Sequence, residues 1–179
     1  GLIYCSRLQW NQNIQLNRLA QLIGGPVDFS GRLDGDFKTR SLTQRPVIEG
    51  KVTVSDFRLN NRMVGDLLFE SKYSTADKHF NTEISIQTDP NKHADYLQNN
   101  NGIGQDIHLK GYMQPFGMDQ PQDTLYKFNA DFAEIDMWVI HEIIPEVFNS
   151  VEGRAQGQGW ITGNLDSFNF HADFDVQDV

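Results

Sequence analysis

Ser167-Phe-Asn-Phe-His-Ala-Asp-Phe-Asp-Val-Gln177 alternates apolar and polar residues without a break. Phe168, Phe170, Ala172, Phe174 and Val176 share one parity, and Asn169, His171, Asp173 and Asp175 hold the other. Successive side chains on a strand point to opposite faces, so this is one long strand with an oily face and a wet face. Just ahead of it stands Gly153-Arg-Ala-Gln-Gly157-Gln-Gly-Trp-Ile-Thr-Gly163. Glycines so placed let strands bend, bulge or pack closely.

The same alternation runs through most of the chain. Leu2, Tyr4, Leu8 and Trp10 share a parity, and strand character resumes at Gly31-Arg-Leu-Asp-Gly35-Asp-Phe37. From Pro46 to Ser55, Ile48, Val52 and Val54 oppose Glu49, Lys51 and Thr53. Leu67, Phe69 and Tyr73 oppose Asp66, Glu70 and Lys72, and Phe80, Ile84 and Ile86 oppose Asn81, Glu83 and Ser85. Ile107, Leu109 and Met113 oppose His108 and Lys110, and Phe128, Ala130 and Phe132 oppose Lys127, Asn129 and Asp131. Asp89–Asn101 is polar and aperiodic and reads as a loop, and Pro115–Asp123 as a turn-rich break. Two stretches carry helical spacing instead, near residues 15–23 and 137–144. Gly24-Gly25-Pro26 ends the first and Pro145 the second.

Those helical stretches belong to a repeat. Gly31-Arg-x-x-Gly35 matches Gly153-Arg-x-x-Gly157, 122 positions later. The even offset preserves strand parity, so both copies turn their apolar residues to the same kind of face. The expected fold is all-β with two short helices. It is a single segment, 1–179, of a longer chain, holding related units at about 14–88 and 136–179, the second truncated. A β-sandwich would cover the oily face with another sheet. The rival is one long antiparallel or mixed sheet curled into an open, taco-like groove. Its lining would be Val52, Val54, Leu67, Phe69, Ile84, Ile86, Ile107, Leu109, Phe128, Phe132, Phe170 and Phe174. A trough that apolar needs an occupant, and an acyl chain gains about 0.8 kcal/mol per buried CH₂.

Composition narrows the function. A formal net charge of −9 leaves no basic stripe for nucleic acid and disfavours an anionic membrane surface. The single cysteine, Cys5, can build neither a disulfide framework nor a cysteine metal site. No apolar run approaches the roughly 20 residues that span a bilayer. His171, Asp173 and Asp175 share a face but lie about 7 Å apart along the strand, which reads as a solvated surface. His79, His93, His108 and His141 show no zinc-type spacing. Glu142 and Glu146 suit a charged helix face, and no nucleophile elbow or dinucleotide fingerprint occurs. The expectation is a non-enzyme with neither metal nor cofactor.

The helical stretch, the Gly-x-x-x-Gly strand, Pro46-Val-Ile-Glu-Gly50-Lys-Val-Thr-Val54 and Met63-Val-Gly-Asp-Leu-Leu-Phe-Glu-Ser-Lys-Tyr73 together resemble a repeat of the TamB and AsmA-like family. Ile135-Asp-Met-Trp through Phe148, followed by Gly153–Gly163, resembles a second, with Phe168 where the first unit has Pro46. The resemblance covers most of the chain and rests on glycines and alternation. It implies a protein of the periplasm of a diderm bacterium, anchored in the inner membrane. It also implies a β-groove scaffold that binds or conducts phospholipid acyl chains between the two membranes. Partners would be phospholipid or another acyl-chain lipid, with outer-membrane assembly proteins as a further class. The alternatives are a chaperone-like groove for outer-membrane protein assembly, or a sandwich module that binds carbohydrate through aromatics such as Trp160 and Tyr112.

Overall fold

The computed structural model describes residues 28–40, 47–100, 102–115, 124–143, 153–164 and 168–177. The first expected strand (2–10) and helix (15–23) lie outside these residues. Eight strands form one open antiparallel sheet in chain order: β1 Phe29–Arg40, β2 Val47–Leu59, β3 Arg62–Ser74, β4 His79–Gln87, β5 Asp106–Met113, β6 Tyr126–Asp136, β7 Arg154–Gly163 and β8 Phe168–Gln177. Each strand pairs with its sequence neighbour, and all seven pairings are antiparallel. The sheet is not mixed. The described residues supply no second sheet to pack against it.

Two strands run further than alternation alone predicts, and β-bulges are the reason. The β2–β3 register shifts between Val54 and Phe57, where Asp56 takes a left-handed backbone (φ 55°). The extra residue reverses parity. Phe57 and Leu59 thus return to the buried side alongside Val54. Likewise the β6–β7 register shifts between Phe132 and Ile135, leaving Ile135 fully buried.

The core is thickest at this bulged end. Strand β6 runs straight into α2, Met137–Ile143, where a helix near 137–144 is expected. Asp136 caps it: its Oδ1 accepts the Trp138 N–H at 3.3 Å. The Met137 N–H donates to the Gly153 carbonyl at 3.0 Å, tying the helix to the start of β7. Met137, Trp138, Val139 and Ile140 are buried with Leu59, Val64 and Ala155. Arg62 lies over the Trp138 ring, 3.9 Å from its centroid.

A second helix, α1 (Ala94–Asn99), occupies the stretch read as an aperiodic loop. It is one short turn-rich element with no buried residue, so it leaves no apolar period to detect. Local hydrogen bonds set it up. The Asp89 carbonyl accepts from the Lys92 and His93 N–H groups, and its side chain accepts from the Asn91 N–H. At its far end the Leu97 carbonyl accepts from Asn100 and Gly102. Asn100 Nδ2 then reaches Asp136 Oδ2 at 2.8 Å, joining α1 to the cap of α2.

Lys92 fastens this connection to the β2–β3 hairpin. Its Nζ lies 2.6 Å from Asp66 Oδ1 and 3.3 Å from Asp56 Oδ1. Burial pushes the Asp66 carboxyl up, but the Lys92 and Asp56 hydrogen bonds and the Lys92 and His93 charges outweigh it, holding it below 3.8. Burial likewise pulls Lys92 down, and its bonds and attraction to Asp66 and Asp56 outweigh that and raise it above 10.5. A depressed acid stabilises the fold above its unfolded pKa, and that stability is lost as pH falls through the folded value. A raised lysine stabilises below its unfolded pKa and loses this as pH rises through the folded one. Asp66→Asn should therefore lower Tm at neutral pH. Its gap from wild type should shrink as pH falls below about 3.8. A gap that stays constant down to about pH 2 would assign the loss to something other than the carboxylate charge.

The outer hairpins share one register. In β1–β2, Leu33 faces Val54, Gly35 faces Val52, and Asp36 faces Lys51. In β7–β8, Ala155 faces Val176, Gly157 faces Phe174, and Gln158 faces Asp173. Every one of these pairs maps onto its counterpart by the 122-residue shift. The matched glycines Gly31 and Gly153 also take a positive φ (152° and 115°), a backbone that side-chain-bearing residues avoid.

Candidate functional site: the apolar face of the sheet

Cross-strand pairing places all the candidate lining residues on one face. One row runs Leu33, Val54, Leu67, Ile86, Ile107, Phe132, Gly157 and Phe174 from β1 to β8. The next runs Gly35, Val52, Phe69, Ile84, Leu109, Ala130, Gly159 and Ala172. Phe128, Ile161 and Phe170 continue it in a third row beside Gly111. Directly opposed apolar side chains support each other on a sheet face, and here the pairing extends over all eight strands.

The lining is not uniformly open. Val54, Ile107, Phe128 and Phe132 are buried, whereas Val52, Leu67, Phe69, Ile84, Ile86, Leu109, Phe170 and Phe174 are half-buried. Helix α2 lies at one end only, so most of the half-buried set belongs to the middle strands and the β8 side. Phe132 is 4% exposed because its ring meets Phe174 at 5.1 Å and Phe170 at 6.5 Å between centroids. Those partners sit two strands away. Gly157, lying between Phe132 and Phe174 in the register, has no side chain to keep them apart.

Glycine also marks where neighbouring strands crowd this face. A Cβ at Gly111 would fall on the Lys127 carbonyl and lie 2.7 Å from the Phe128 Cα. At Gly159 it would meet the Ala172 Cβ at 2.8 Å, and at Gly35 the Lys51 carbonyl at 2.7 Å. All three positions have the apolar parity. At each one the neighbouring strand leaves no room for a side chain.

The opposite face is polar and paired. Lys51 bonds Glu70, and Lys110 bonds Glu83, both at 2.5 Å and largely exposed. Such surface pairs contribute little. His171, Asp173 and Asp175 all lie exposed on this face. Trp160, 39% exposed, stacks on His171 at 5.6 Å, and Tyr112 stacks on His79 at 4.8 Å. The two aromatics named for a carbohydrate platform thus lie on the polar face, each stacked against a histidine. Glu142 joins Asn60 across the α2 end, and Glu146 falls outside the described residues. His93 is the residue that spacing did not reveal. It is buried beside Asp56 and Asp66, which come from two other segments.

Compared with known proteins, the chain matches no family model, no curated protein and no solved structure.

Proposed function

We propose that the apolar face is a trough for the acyl chains of phospholipid, and that the chain is part of a β-groove scaffold of the cell envelope. The observation that carries this reading is the unbroken apolar register across eight strands with no second sheet among the described residues. Half-buried Phe69, Ile84 and Leu109 sit at its centre. A contiguous apolar surface of that extent calls for an occupant, and an aliphatic chain matches it without needing any polar partner. The crowded glycines support a curl toward this face, because each lets the neighbouring strand approach where a side chain would stand. The reading needs no catalytic group, and places the chain between membranes only as the family resemblance does.

One further observation favours a second occupant. Among the described residues β8 pairs only with β7, leaving a ten-residue edge that another strand could extend. An unfolded outer-membrane strand would use that edge, while lipid would use the face.

Organic-solvent extraction of the purified protein, followed by mass spectrometry, tests the first reading. Phospholipid should co-purify with wild type. Ile84→Asp places a carboxylate in the centre of the trough, where an acyl chain would have to desolvate it. Bound lipid should fall about tenfold or more, while Glu83→Ala on the polar face should leave it unchanged. Lipid-free wild type that captures unfolded strands would favour the edge instead.

A further inference from the structure

We propose that Asp56, Asp66 and His93 form a binding site for one divalent transition-metal ion, with Zn²⁺ as the type. Three separate segments meet there: the β2 bulge, strand β3 and the turn that leads into α1. One ligand atom from each lies within 4.8 Å of the others. The bulge aims Asp56, and the Asp56 N–H in turn holds Asp66 Oδ1 at 2.9 Å.

Two surface carboxylates would carry no such argument by themselves. His93 does, because it is 5% exposed and its Nε2 finds no hydrogen-bond partner among the described residues. That nitrogen stands 3.5 Å from Asp66 Oδ1, aimed at the carboxylates yet not bonded to them. A buried ring nitrogen left without a partner in a folded protein calls for an explanation. A metal ion between the three groups supplies it.

Lys92 holds the position now. Its ammonium lies 2.6 Å from Asp66 Oδ1 and 3.3 Å from Asp56 Oδ1, where a cation belongs. Its side chain remains about a third exposed, so it can withdraw into solvent without unfolding anything. Tetrahedral bonds of about 2.0–2.1 Å then need the ligand atoms to close to roughly 3.3 Å, a side-chain adjustment. Two carboxylate oxygens and one imidazole nitrogen give three protein ligands and an open fourth position. The imidazole selects for zinc-like ions over magnesium or calcium, which favour oxygen alone. The ion would fasten α1 to the β2–β3 hairpin more firmly than the lysine does.

Chelator-treated full chain, titrated with Co²⁺ by visible absorption and with Zn²⁺ by calorimetry, tests this. One ion per chain should bind, with the intense bands of four-coordinate Co²⁺. Lys92→Met removes the competing ammonium and should tighten binding about tenfold or more, which no loss of structure can imitate. His93→Ala should weaken it about tenfold or more. Because His93 is buried, Asp56→Asn, at a half-exposed position, provides the second loss, with its fold checked by circular dichroism. No stoichiometric binding would overturn the proposal. So would affinities unmoved by Lys92→Met and Asp56→Asn, or Mg²⁺ competing as well as Zn²⁺.

Discussion

Replacing Phe132 by alanine is expected to lower the free energy of unfolding by about 3–5 kcal/mol, the range for truncating a buried aromatic. Phe132 is the hub of the aromatic cluster, touching both Phe170 and Phe174 across β7. Gly157 has no side chain with which to refill the space, so the cavity would persist. A loss of that size is a large part of the roughly 5–15 kcal/mol that holds a typical domain together. Phe69→Ala is the comparison. Phe69 is half-buried on the same face, so truncating it removes less protein contact and should cost less than half as much. Urea denaturation of the two variants measures both. Equal losses would mean the face is buried evenly, as in a sandwich.

The second large effect is expected at Gly111. Valine there must place its Cβ on the Lys127 carbonyl, and backbone cannot swing aside as a flexible side chain can. Strands β5 and β6 must part or the sheet must flatten between them. The cost should reach at least about 3 kcal/mol, the upper end for overpacking. Lys110→Val, one residue away on the exposed face, should change stability by less than about 0.5 kcal/mol. Thermal unfolding of the pair gives the comparison, and a Gly111→Val protein as stable as wild type would remove the argument for a tight bend there. The proposed lipid trough adds a second readout. A Gly111→Val protein that folds with a flatter sheet should hold less lipid.

Alternation read most of this sheet correctly because it is a local property. The run from Phe168 to Val176 needs no knowledge of its partners, and parity across the meander follows once strands pair in sequence order. A strict period of two fails where one residue reverses parity. Asp56 in β2 and the shift before Ile135 in β6 hide Phe57, Leu59 and Ile135 from a strict period of two. Helix α1 was invisible for a different reason. Six residues with none buried have no amphipathic stripe, and the Asp89 turn that initiates it looks like any polar loop. The apolar face was legible as a set of residues, though not as a gradient of burial, since Phe128 and Phe69 differ only through their neighbours. The cluster of Asp56, Asp66 and His93 could not be read at all. Its members are brought together by a bulge, a strand pairing and a crossing between β4 and β5, and no spacing rule spans those three.

The central claim is that one face of the sheet receives lipid and the other does not. Photo-crosslinking tests it most directly, with benzoylphenylalanine placed in turn at Phe69, Leu109, Glu70 and Lys110 and the protein incubated with phospholipid vesicles. These positions form two adjacent pairs, each with one residue on the apolar face and one on the polar face. The account predicts phospholipid adducts from Phe69 and Leu109 and none from Glu70 or Lys110. Equal adducts from both faces, or none from Phe69 and Leu109, would contradict it.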